Sequence, residues 1–174
     1  PSIEDGPTCY VYNTNSYETS IANRFNEAGY LTQAFHNNYK EFYTRDLVYE
    51  GFGYDALYGE HELSLSETEK RYDSVFFKRA EDHIIKEDEP FFSFVLTLSG
   101  HSPYTDTNLA SSAHYDRVDA HYGDAYEEEL KHYIASQIEL DRLVGRPVDV
   151  VDPVLGDAVL LVDERQAVLL GGAP

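Results

Sequence analysis

The sequence predicts an α/β fold, a mostly parallel sheet flanked by helices and followed by a C-terminal β-hairpin. Three observations predict it. Helical and strand patterns alternate in the order helix, strand, helix, strand, helix, as in folds built from parallel strands and crossover helices. The stretch FFSFVLTLS at 91–99 is almost continuously apolar, which suits a strand covered on both faces. Near the end, AVLLVDERQAVLLGG reads as two apolar strands around the turn Asp163-Glu164-Arg165-Gln166.

The first helix is expected over 17–28, with Ser16 as N-cap, Gly29 as stop, and Ile21, Ala22, Phe25 and Ala28 on its apolar face. YLTQAF, β-branched and aromatic, predicts a strand ending at His36. The segment 37–58 reads as a loop punctuated by glycines. A second helix is expected over 73–87, capped by Asp73, with Val75, Phe76, Ala80 and Ile84 as its stripe. The strand 91–99 breaks sharply at Gly100-His101-Ser102-Pro103. Residues 102–124 read as a long loop with a short helical piece. A helix over 125–145 presents Leu130, Ile134 and Ile138, widened by Tyr133, Leu140 and Val144.

Composition narrows function. The chain of 174 residues fits one domain or a large piece of one. Its net charge of −19 repels nucleic acid phosphates, and no Lys/Arg cluster offsets that. The lone Cys9 forms no internal disulfide and has no partner for a Cys-type zinc site. No apolar run is long enough to cross a bilayer and no signal peptide is evident, so any targeting segment would lie upstream. With no methionine at all, the sequence is expected to be a processed product or a fragment.

Two segments meet the rule that ligands in parallel sheets bind at the carboxyl ends of strands. His36 follows one strand and His101 another. Tyr43 and Arg45 come seven and nine residues after His36. If 43–45 were extended, the two side chains would point the same way. An arginine beside a phenol suits a phosphate or sulfate, because the planar fork grips two oxygens and the hydroxyl donates to a third. The same residues fit a surface loop in which Arg45 pairs with Asp46, and spacing alone leaves both open. His101 suits a proton donor or an anion-binding imidazole, or simply a strand end. His114 and His121 are expected to face solvent. No nucleophile elbow, P-loop or dinucleotide fingerprint is present.

Together AGYLTQAFHNNYKEFYTRDLVYEGFGYDALY, PFFSFVLTLSGHSPYT and YIASQIELDRLV resemble, in order, motifs of the lipoteichoic acid synthase-like proteins within the alkaline phosphatase/sulfatase superfamily. The resemblance spans Pro7 to Val144. It implies an incomplete sulfatase-like catalytic domain over 1–145, followed by a divergent tail over 146–174. It implies a membrane-anchored phosphoglycerol transferase at the extracellular face of the cell membrane, with phosphatidylglycerol as substrate and a divalent metal, manganese, as cofactor. His36, Tyr43, Arg45 and His101 would bind the headgroup, and His101 would also act as a catalytic proton donor. A metal-activated threonine would attack phosphorus, but that threonine and a glutamate metal ligand belong to the family's upstream portion. The family's later Asp-His pair is not matched either: Asp157 is followed by Ala158, and no metal role is carried onto it. The chain is therefore expected to hold the substrate side alone, to bind no metal, to be inactive by itself, and to meet the membrane only through upstream helices. A sulfatase or phosphodiesterase-type hydrolase acting on another anionic phosphate or sulfate ester is the alternative, and a non-catalytic degenerate domain is the third reading.

Overall fold

Why the polar residues Gln33 and Ser93 sit in buried strands is answered by the helix packed over them. The computed structural model describes residues 8–86 and 88–144, together with the strands at 158–163 and 166–170. β1 (Leu31–His36), β2 (Ala56–Tyr58) and β3 (Phe91–Leu96) run parallel, with β4 (Ala158–Asp163) parallel to β3 and β5 (Gln166–Leu170) antiparallel to β4. The order β2-β1-β3-β4-β5 puts the apolar stretch in the middle, as its composition predicts. The expected hairpin forms, and its first strand extends the same sheet.

Side chains alternate across the sheet and sort into two cores. Phe35, Phe91 and Val95 face one side with Phe76, Phe77, Ala80 and Ile84 of α4 (Asp73–Ile84) and Leu143 of α7 (Glu128–Val144). Ala34 and Phe94 face the other, against Val48 and Tyr49. Gln33 and Ser93 point at the carboxyl end of α4. Gln33 Nε2 donates to the His83 carbonyl at 3.0 Å and Ser93 Oγ to the Ile84 carbonyl at 2.7 Å. They satisfy carbonyls that a helix end leaves orphaned. The other end of α4 is treated likewise: Asp73 N–H donates to Ser99 Oγ and Ser74 N–H to Glu139 Oε1, both at 3.0 Å. Asp73 is thus the first helical residue and caps nothing itself, contrary to the expectation.

The amino-terminal segment carries the short α1 (Thr8–Val11). The next helix, α2 (Ile21–Glu27), begins four residues later than expected. Tyr17 N–H is taken by the Gly51 carbonyl at 2.8 Å, and Ser20, not Ser16, caps by accepting from Asn23 N–H at 3.1 Å. Ser20 Oγ also donates to the Phe52 carbonyl. Ser20→Ala is therefore expected to cost about 1–2 kcal/mol, measured by denaturant unfolding. Gly29 ends α2 with φ +86°, as the sequence implies.

The segment 37–58 is more ordered than a loop. It holds a 3₁₀ turn at Phe42–Thr44, α3 (Arg45–Gly51) and β2. Gly51 closes α3 where a Cβ would lie 2.3 Å from the Asn15 carbonyl oxygen, so the glycine marks a close chain approach rather than a loop. Beyond β3, α5 (Leu109–Ser112) and α6 (Tyr115–Tyr122) occupy most of the expected long loop.

α7 buries a different face from the one its periodicity suggests. Leu130 is exposed, and Ile134 and Ile138 are half-buried beside Val118 of α6. The buried row is Lys131, His132, Ala135, Ser136, Glu139 and Leu143. It is mostly polar because each group finds a partner: Lys131 with Asp119 at 2.7 Å, His132 Nδ1 with Ser111 Oγ at 2.6 Å, Glu139 with Ser74 and with His114 Nε2 at 3.0 Å. His114 is therefore tied to a buried carboxylate, not turned to solvent, whereas His121 is exposed as expected.

Candidate anion site

The carboxyl ends of β1 and β3 lie side by side, since His36 pairs with Leu96 in register. His36 is 2% exposed, and its Nδ1 lies 3.0 Å from the Leu96 carbonyl oxygen. A carbonyl only accepts, so Nδ1 carries the proton and Nε2 is left with a lone pair. Burial lowers the imidazole to about 4, against the Leu96 hydrogen bond, with a further push from the Arg45 charge. At neutral pH His36 is an uncharged acceptor at Nε2.

His36 projects to the same face as Ala34, the face that α3 covers, and Arg45 is the first residue of α3. The chain reaches it through two left-handed residues, Tyr43 (φ 57°) and Thr44 (φ 52°). The extended 43–45 geometry considered from the sequence is thus not formed. The tight turn throws the Tyr43 ring outward, 53% exposed, and folds Arg45 back beneath it, 3% exposed. The two still meet: the guanidinium lies 5.4 and 5.5 Å from the Phe42 and Tyr43 ring centroids. Tyr10 stacks on Tyr43 at 5.1 Å and backs the wall.

Arg45 does not pair with Asp46, and among the described residues it makes no ion pair at all. Its one hydrogen bond runs from a terminal nitrogen to the Phe42 carbonyl at 3.3 Å. Its Nε has no partner, and neither do the buried atoms Asn37 Oδ1 and Thr44 Oγ1. A buried guanidinium without a carboxylate is costly, the more notable in a chain of charge −19.

After β3 the chain turns at residues 97–101, three residues sooner than the expected strand end. Leu98 and Ser99 do not extend the ladder because their N–H groups are claimed by the Asp73 carboxylate, each at 2.9 Å. His101 follows, its N–H bonded to the Leu98 carbonyl at 3.0 Å, its carbonyl receiving Asn108 Nδ2 at 3.0 Å, and its Nδ1 against the Ser102 carbonyl.

Tyr43 and His101 line one cleft of about 810 Å³, together with Asn38, Phe42, Arg71 and Ser99. His36 and Arg45 are not on its surface; Arg45 lies behind the Phe42–Tyr43 wall. Of the four residues singled out in the sequence, two therefore form the wall of the cleft and two lie buried at its β1 side. Asn38, Arg71, Ser99 and Asp73 were not singled out as part of the site. Arg71 belongs to a 3₁₀ turn with no strand-end signal, and only its sign in an acidic chain distinguishes it. A second cleft of about 770 Å³ is lined by Asp106, Asp116, Glu128 and Glu129 and repels anions.

Among the described residues no group of three or more His, Cys, Asp or Glu side chains gathers to hold a metal ion. Asp157 lies outside the described residues. No helix among the described residues is long and apolar enough to cross a membrane.

Comparison with known proteins agrees with the architecture. The lipoteichoic acid synthase of Staphylococcus saprophyticus is 35% identical over 107 residues, which are 59% of this chain and 17% of that protein. That of Staphylococcus aureus is 31% identical over 107 residues. The chain thus spans about one sixth of the length of these relatives. Among solved structures, the lipoteichoic acid synthase LtaP of Listeria monocytogenes aligns over 90% of this chain and 39% of its own, with TM-score 0.67 and 19% identity. An alkaline phosphatase superfamily protein of Vibrio parahaemolyticus aligns over 91% of this chain and 38% of its own, with TM-score 0.56 and 18% identity. These establish the alkaline phosphatase superfamily fold. Residues 7–162 match the Sulfatase family, so the greater part of the sheet and all the residues of the cleft fall within it, and this chain belongs to the sulfatase family as a partial, lipoteichoic acid synthase-like domain.

Proposed function

We propose that this chain is the substrate-binding side of an extracellular phosphoglycerol transferase, and that its cleft receives the phosphoglycerol headgroup of phosphatidylglycerol. The observation that carries the proposal is Arg45: buried, stacked on two aromatic rings, without an ion pair, and with Nε unpartnered. An anionic oxygen is the partner such a group lacks.

In this reading each residue has a share. Arg45 lies behind the Phe42–Tyr43 wall, so it pairs with the non-bridging oxygens once the exposed Tyr43 ring swings aside, and there it offsets charge that builds on them as the phosphoryl group transfers. Tyr43 walls the site and offers its hydroxyl. His101, exposed at the rim, gives a proton to the departing diacylglycerol oxygen. His36, neutral with Nε2 as acceptor, is buried off the cleft surface and backs the site from the end of β1. The nucleophile and the divalent metal, manganese by resemblance, would come from outside this chain, which alone would bind without turnover. The acceptor hydroxyl and the outer face of a cell membrane complete the proposal.

The test is calorimetric titration of the 174-residue chain with glycerol phosphate, with inorganic sulfate as a second arm. Saturable binding that Arg45→Ala removes is expected. Equal binding by the two chains would sink the proposal. Sulfate binding as tight as glycerol phosphate would leave an oxyanion site without glycerol recognition, as a sulfatase-type hydrolase needs.

A further inference from the structure

The cleft has two lips, one from the end of β1 and one from the turn after β3, and the Asp73 side chain touches both. Asp73 is wholly buried at the amino end of α4. Its Oδ1 accepts from Leu98 N–H at 2.9 Å and from Asn37 Nδ2 at 2.9 Å. Its Oδ2 accepts from Ser99 N–H at 2.9 Å. Its own N–H returns a bond to Ser99 Oγ at 3.0 Å. Asn37 directly follows His36 and precedes the cleft residue Asn38; Leu98 and Ser99 line the cleft and lead into His101.

We propose that Asp73 is a positioning residue for the anion site: its carboxylate clamps the His101 turn to the Asn37 end of β1 and so sets the width of the cleft. The inference rests on the anion-cleft reading above. A carboxylate is required because it alone accepts three donors with no hydrogen of its own to place. An asparagine would point an amide N–H at one of the three donors. Among the described residues no lysine or arginine pairs with Asp73; the nearby charge acting on it is Glu139, of the same sign. The carboxylate is therefore held by hydrogen bonds and not by a counter-charge, an arrangement that fixes a turn more firmly than an exposed ion pair does. The rival account is that Asp73 merely favours the positive end of α4. Under that account its loss would weaken the helix and leave the imidazole of His101 where it is.

Imidazole NMR and titration with glycerol phosphate separate the two. In Asp73→Asn the ring signals of His101 should move while those of exposed His121 stay fixed, and glycerol phosphate affinity should fall roughly tenfold or more. Unchanged His101 signals with affinity within about twofold of the parent overturn the clamp. Should Asp73→Asn fail to melt cooperatively, Ser99→Ala takes its place, since it removes the return bond and keeps the carboxylate; it should shift His101 the same way by less, and no shift overturns the proposal. If the parent chain binds no glycerol phosphate, the phosphoglycerol reading falls, and the His101 signals still decide the clamp.

Discussion

Arg45→Ala is expected to weaken glycerol phosphate binding by roughly a hundredfold, the scale of losing a buried, charge-assisted contact to an oxyanion. The free chain should hardly notice. The side chain makes one 3.3 Å hydrogen bond and lacks a counter-charge, so its removal relieves a desolvation cost while giving up packing on Phe42 and Tyr43. The net change in unfolding free energy should stay within about 1 kcal/mol. That pairing of near-constant stability with collapsed affinity is the signature of a residue kept for a ligand. Arg45→Lys retains the charge but neither the planar fork nor the stacking, and should lose roughly tenfold. Calorimetric titration and denaturant unfolding on the same three proteins give both numbers.

The second large effect is in pH. Burial pushes the Asp73 carboxyl from an ordinary 3.8 up to about 6, although the Leu98 and Ser99 N–H groups pull it down. A raised carboxyl contributes stability that is complete below pH 3.8 and is lost as pH rises through about 6. Burial lowers His36 from 6.5 to about 4, and a lowered imidazole contributes stability that is complete above 6.5 and is lost as pH falls through about 4. Each shift is worth about 3 kcal/mol, and the two run in opposite directions over nearly the same window. In the parent chain they cancel. In Asp73→Asn only the histidine remains, so stability relative to the parent should climb by about 3 kcal/mol between pH 4 and 6.5. Denaturant unfolding of both chains across that range checks it, and a constant difference would mean that Asp73 titrates as an ordinary carboxylate.

Much of this was legible before the structure. The apolar run at 91–99 announced a central parallel strand, and the sharp breaks after His36 and at Gly100 announced the strand ends that meet at the cleft. The closing hairpin was visible in its turn residues. What escaped the sequence was written in distant partners. Asp73 looks like a local cap, yet its bonds reach residues 98 and 99. α7 looks apolar along Leu130, Ile134 and Ile138, yet turns inward the polar row that Ser74, Ser111 and Asp119 can satisfy. Tyr43 and Arg45 meet through a left-handed turn that no alternation rule describes, because non-glycine residues rarely adopt it.

α4 draws its terminal hydrogen-bond partners from far along the chain: Ser99 and Glu139 at one end, Gln33 at the other, with only Ser93 close by. A peptide spanning 73–84 would therefore show little helicity alone. The helix becomes durable only after the sheet and α7 have assembled, so its amides should gain protection from solvent exchange late, in step with global refolding rather than ahead of it.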